Sequence, residues 1–157
     1  MKRHWWRSKR GNAMLEFALS AGVLIPCLTG TFQFGYGMYN YNKLQSAVGE
    51  GGRYASLRTY RTLLGATDTD KVKLAVKNMV VYGTPSPTGS SVPLVSGLGT
   101  SNVSVDYTTT STGAPTSVTV KISSFAVDTI FTSFTFTGKP VVTYPFIGRY
   151  ATEESEP

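Results

Sequence analysis

Residues 17–42, FALSAGVLIPCLTGTFQFGYGMYNYN, contain no charged side chain. About 20 residues of helix, each rising about 1.5 Å, cross a hydrocarbon core of about 30 Å. The part up to Phe34 is mostly Leu, Val, Ile, Phe, Ala and Gly, so it is long and apolar enough to do so. We expect a helix over residues 12–59 whose bilayer-crossing part is about 13–35. A cleaved secretory signal peptide has the same basic start, but this apolar run is long for one and lacks an Ala-x-Ala-like cleavage site.

Upstream, Lys2, Arg3, Arg7, Lys9 and Arg10 supply five positive charges, against a formal net charge of +6 for the whole chain. The remainder is nearly neutral, which argues against a nucleic-acid partner, since such proteins spread Lys and Arg over a folded face. Basic residues ahead of an apolar span instead orient the N-terminus to the cytoplasm and the rest outward. Residues 1–11 are therefore read as a basic cytoplasmic leader. Trp5 and Trp6 suit an inner interfacial belt, and Phe32, Phe34, Tyr36, Tyr39 and Tyr41 an outer one. His4 and Cys27 are the single His and Cys. No internal disulfide, His/Cys zinc site or Cys-His nucleophile pair can be built from them.

Downstream, Leu44, Ala47, Val48, Tyr54 and Ala55 recur at three- and four-residue steps and continue the helix as an amphipathic rod. Asp68 or Asp70 followed by Val72, Leu74, Ala75, Val76, Met79 and Val80 predicts a second helix ending at Gly83 before Pro85. Residues 84–100 read as a Gly/Ser/Pro/Thr loop. Val103, Val105 and Tyr107 alternate with polar residues, as do Val118, Val120 and Ile122 beyond the turn signal 112–115, which predicts an antiparallel hairpin. Further strands are expected at 134–137 and 141–150, the latter at an edge or bulge because of Pro145. Residues 124–133 fit either a helical turn or a loop. The outcome is an α+β chain with a long N-terminal helix, a second helix and a small antiparallel sheet of three or four strands. Its outer domain covers 60–150, with an acidic tail at 151–157.

The segment Arg10-Gly11-Asn12-Ala13-Met14-Leu15-Glu16-Phe17 carries the anomaly. A carboxylate at the start of an apolar span is costly and calls for a partner. If the chain is cut after Gly11, Asn12 gains an α-amino group and Glu16 becomes the fifth residue, a natural partner for the ammonium group of a neighbouring subunit. Such a pair would set axial register in an assembly. Together with Pro26, Phe34-Gly35 and Glu50-Gly51-Gly52-Arg53-Tyr54-Ala55, this segment resembles the TadE-like minor pilins of tight-adherence (Flp-type) pilus systems. Val48-Gly49 and Gly52 depart from the Ala-Arg and Ala usual there. The resemblance implies processing at Gly11/Asn12 by a prepilin peptidase and retention in the bacterial inner membrane. It also implies other pilin subunits and the pilus assembly platform as partners, and a role in adhesion.

Two further groups have two readings each. Ala18, Gly22, Pro26 and Gly30 fall every four residues on one helix face, which suits close helix packing. Equally, Gly and Pro are common in membrane helices, and Pro26 is expected to loosen the helix near Gly22. Glu50, Gly51, Gly52, Arg53 and Tyr54 suit either a subunit contact or packing of the helix on its own outer domain. No catalytic constellation is found, because the outer acids lack a His or Cys beside them and Asp68 and Asp70 are explained as a helix cap. We therefore expect a structural protein with no catalytic residues, cofactor or metal. The alternatives are a type II secretion pseudopilin and a membrane-anchored binding or sensor module that does not polymerise.

Overall fold

The computed structural model describes residues 9–58, 60–61, 65–129 and 133–151. The leader up to Ser8, with His4, Trp5 and Trp6, and the tail from Thr152 lie outside the described residues. The long helix is α1, Lys9–Ser56. It begins upstream of the expected start, running through Gly11 and Asn12, and stops three residues before position 59. Its end is set by the Arg58 N–H closing a turn onto the Ala55 carbonyl (3.4 Å) and the Ile147 N–H donating to the Ser56 carbonyl (3.0 Å).

The chain divides into two compact units, one to Tyr36 and one from Gly37. In the first, the described residues are all helix, and the most apolar window of α1 is bare of protein neighbours. Met14, Leu15, Phe17, Leu19, Val23, Leu24, Ile25 and Leu28 are all more than half exposed. A helix apolar on every side does not suit water, and this one is long and apolar enough to cross a membrane. The helix continues through Pro26, which has no N–H to donate to the Gly22 carbonyl. A turn later the Thr31 hydroxyl donates to the Cys27 carbonyl at 2.9 Å.

The second unit is α+β. It holds the outer part of α1 together with β1 (Tyr60–Arg61), α2 (Gly65–Tyr82), β2 (Val103–Thr109), β3 (Pro115–Ile122), β4 (Ser124–Asp128), β5 (Ser133–Thr137), β6 (Val141–Pro145) and β7 (Tyr150–Ala151). Helix α2 starts at Gly65, ahead of both Asp68 and Asp70, so neither is its cap; an acidic residue suits the first turn as well as the cap position. It ends as expected: Gly83, at φ +73°, supplies the left-handed residue after the helix and donates its N–H to the Met79 carbonyl at 2.9 Å.

Strands β2, β3 and β6 form an antiparallel sheet in that order, with Val105 opposite Val120 and Val120 opposite Val142. The predicted hairpin is β2–β3, and β6, which ends at Pro145, is an edge strand. A separate antiparallel pair, β4–β5, sets Phe125 opposite Phe136 and Val127 opposite Phe134. Residues 124–128 are thus a strand and not the helical turn or loop expected. Phe125 and Val127 are buried while Ser124, Ala126 and Asp128 are exposed, a period of two that the short segment displays only once its partner is known. Strands β1 and β7 pair in parallel, Tyr60 with Tyr150.

The core is built from Leu44, Ala47, Val48 and Ala55 of α1, Val76, Val80 and Val81 of α2, and the inward Val and Ile residues of β2 and β3. Val95 and Leu98 pin the loop after α2 to it, helped by the Leu94 N–H on the Val81 carbonyl at 2.7 Å. Asn102 braces three segments: its side-chain oxygen accepts from the Gly99 N–H (2.9 Å), its amide donates to the Ser124 carbonyl (2.6 Å), and its carbonyl accepts from the Ser123 N–H (2.8 Å).

Candidate functional site

The residues that sequence reasoning selected all lie on α1, between Gly11 and Tyr54, and the structure places them in two different settings. Gly11, Asn12, Glu16, Ala18, Gly22, Pro26 and Gly30 are all exposed. A Cβ built at Gly11, Gly22 or Gly30 would meet nothing within 4 Å. Asn12 and Glu16 stand four residues apart, one turn along the same helix face. Among the described residues nothing packs against the small-residue face, so it is open to lipid or to another helix.

The exit motif is different. Gly51 and Gly52 are buried, and Glu50 and Arg53 beside them are exposed. A Cβ at Gly51 would collide with the Val80 side chain of α2. At Gly52 it would approach Cδ2 of Tyr144, on β6, to 2.9 Å. The two glycines are therefore where α1 meets the second helix and the sheet, and their freedom from a side chain is what allows the approach. Tyr54 is half-buried against the core, and the Arg58 guanidinium lies 4.0 Å from its ring centre. The Ser56 hydroxyl donates to the Arg53 carbonyl at 2.9 Å.

Sequence reasoning did not single out Gly37, which is buried and fits against the ring of Phe134: a Cβ there would lie 3.1 Å from Cδ2 and Cε2. Nor did it find the groove of about 540 Å³ lined by Tyr39, Lys43, Ala47, Met79, Gly83 and Leu94, with Asn42, Ser46 and Glu50 along its α1 side. The only hint in the sequence was the alternation Gly35-Tyr36-Gly37, too common in apolar helices to point to a contact.

The run from an exposed glycine through a bare apolar helix to a buried glycine pair is matched by one known pattern. Residues 11–53 match the family model of TadE-like proteins. No curated protein matches the chain, and no solved structure does. The TadE-like segment begins at Gly11 and ends at Arg53, so it contains the apolar span, Glu16 and the glycines that seat α1 on α2 and β6. Strands β1 to β7 and helix α2 lie beyond it.

Proposed function

We propose that the chain is a structural, non-enzymatic subunit of a tight-adherence pilus system: a minor pilin or pseudopilin held in the inner membrane by α1 until it joins other pilin subunits on the assembly platform. The observation that carries this reading is the TadE-like match opening at Gly11, five residues before the only carboxylate in the apolar half of α1. A prepilin peptidase cutting there leaves Asn12 as the new N-terminus, with its ammonium group free to meet Glu16 of an adjacent subunit. The bare face of Ala18, Gly22, Pro26 and Gly30 supports the same role, because helices bundle in a fibre core through small residues. The α+β unit then forms the outer surface of the subunit.

The test is the mature N-terminus. Co-expressed with the cognate prepilin peptidase, the chain is expected to start at Asn12 by mass spectrometry, and a Gly11→Leu variant to keep its leader. An intact Met1 in both would make the protein a plain membrane anchor carrying an outer module.

A further inference from the structure

We propose that the C-terminal unit rests on the bilayer, with Val92 and Leu94 of the loop after α2 seated in the headgroup layer of the leaflet where α1 emerges. This rests on the membrane-anchor reading above. Lys43 is the first charged residue after Glu16. The stretch between them is about 40 Å long as a helix, close to the roughly 40–45 Å of a bilayer with its headgroups. With the crossing part expected to end near residue 35, Tyr39 stands four residues or about 6 Å beyond the hydrocarbon edge, inside a headgroup layer of about 5–8 Å on each side.

Two parts of the unit lie deeper than the Lys43 backbone. The Lys43 side chain runs back toward the N-terminus, as helical side chains do, and its ammonium sits 5.1 Å from the centre of the Tyr39 ring. From there it donates to the Leu94 carbonyl at 3.3 Å, so the loop is held about one helical turn on the membrane side of Lys43. On another side of α1, Phe136 stacks on Tyr41 with ring centres 5.5 Å apart, and Phe134, two residues nearer the β4–β5 turn, fits against Gly37. Both contacts fall inside the uncharged run.

The loop is built for such a setting. Val92 is 78% exposed, Leu94 42% and Tyr39 56%, and the groove between Tyr39, Met79 and Leu94 is walled mainly by apolar atoms. At an interface these side chains bury apolar area, while Lys43 keeps its ammonium among phosphates.

The test uses the full chain in vesicles of phosphatidylethanolamine and phosphatidylglycerol, with nitroxide labels read by their collisions with oxygen and with a water-soluble nickel chelate. A label on native Cys27 reports the anchor. In a Cys27→Ser background, labels at Val92→Cys and Ser111→Cys report the docked loop and the opposite end. Ser111 is remote because the turn end of its hairpin joins the far end of α1, through the Phe146 N–H on the Thr116 carbonyl and the Ile147 N–H on the Ser56 carbonyl. The proposal predicts hydrocarbon depth at 27, interfacial depth at 92 and water at 111, with the 92 label shifted to water by Leu94→Asp. A 92 label as nickel-accessible as the 111 label, with 27 still in hydrocarbon, overturns the docking and leaves the anchor standing. Nickel access at 27 overturns both. Dipolar broadening at 92 that disappears on dilution with unlabelled chain would show a second copy on this surface in place of lipid, and also overturns the proposal.

Discussion

Gly52 lies against the ring of Tyr144, with room for a hydrogen and not for a methyl group: a Cβ at 52 would come 2.9 Å from Cδ2. Gly51 is in the same position against Val80, whereas Gly49 has no neighbour within 4 Å of its missing side chain. Alanine should therefore have opposite effects along one helical turn. We expect Gly49→Ala to stabilise the detergent-solubilised chain by about 0.5–1 kcal/mol through helix propensity. Gly51→Ala and Gly52→Ala should destabilise it by about 1–3 kcal/mol through overpacking. Thermal unfolding reads both signs. The Gly51→Ala loss should shrink when combined with Val80→Ala, and equal losses in both backgrounds would show that the contact is not its cause.

The sheet offers a second contrast. Ile122 is fully buried and its neighbour Lys121 is 40% exposed, paired with Asp106 at 3.3 Å. Ile122→Ala is expected to cost about 2–5 kcal/mol, and Lys121→Ala no more than about 1 kcal/mol. Urea unfolding followed by Trp-independent circular dichroism measures the difference.

Glu16 is exposed in the single chain, so its role is expected to appear only in an assembly. Glu16→Gln keeps the shape and removes the charge. Cleavage and membrane insertion should be unchanged, while co-purification with other pilins is lost, because a buried ammonium left without its carboxylate costs about 3–5 kcal/mol. Normal co-purification and piliation of this variant would assign Glu16 to peptidase recognition alone.

The basic leader ahead of the apolar span predicts that the α+β unit lies outside the cytoplasm. Alkaline phosphatase fused after Pro157 should be active, and a cytoplasmic reporter at the same point silent. The reverse pattern refutes the orientation.

The parts of this structure legible in sequence are those with a local cause. The uncharged run gave the long helix, Gly83 the end of α2, and alternating valines the β2–β3 hairpin. What escaped reading depends on partners distant in sequence. Strand β4 shows two inward residues in five, too few to separate a strand from a turn until Phe134 and Phe136 face them. The start of α2 escaped reading because an acid such as Asp68 suits the first turn of a helix as well as its cap. At the candidate site, Glu16 stood out because a carboxylate breaks the apolar run, and Gly11 only through its spacing from Glu16 and the family resemblance. Gly51 and Gly52 are as compatible with a weak helix as with a tight contact, and only the presence of Val80 and Tyr144 decides between them.

The end of α1 has a consequence for the order in which the outer unit can close. Ser56 accepts from Ile147, and Tyr60 pairs with Tyr150, so the first element of the outer unit is closed by residues that follow β2 to β6 in the chain. The clasp spans α2 and β2 to β6, so it closes a long loop and is expected to form only after they have paired. A chain cut ahead of β7 keeps a helix with an open end, which gives proteases a direct signature of an unclasped unit.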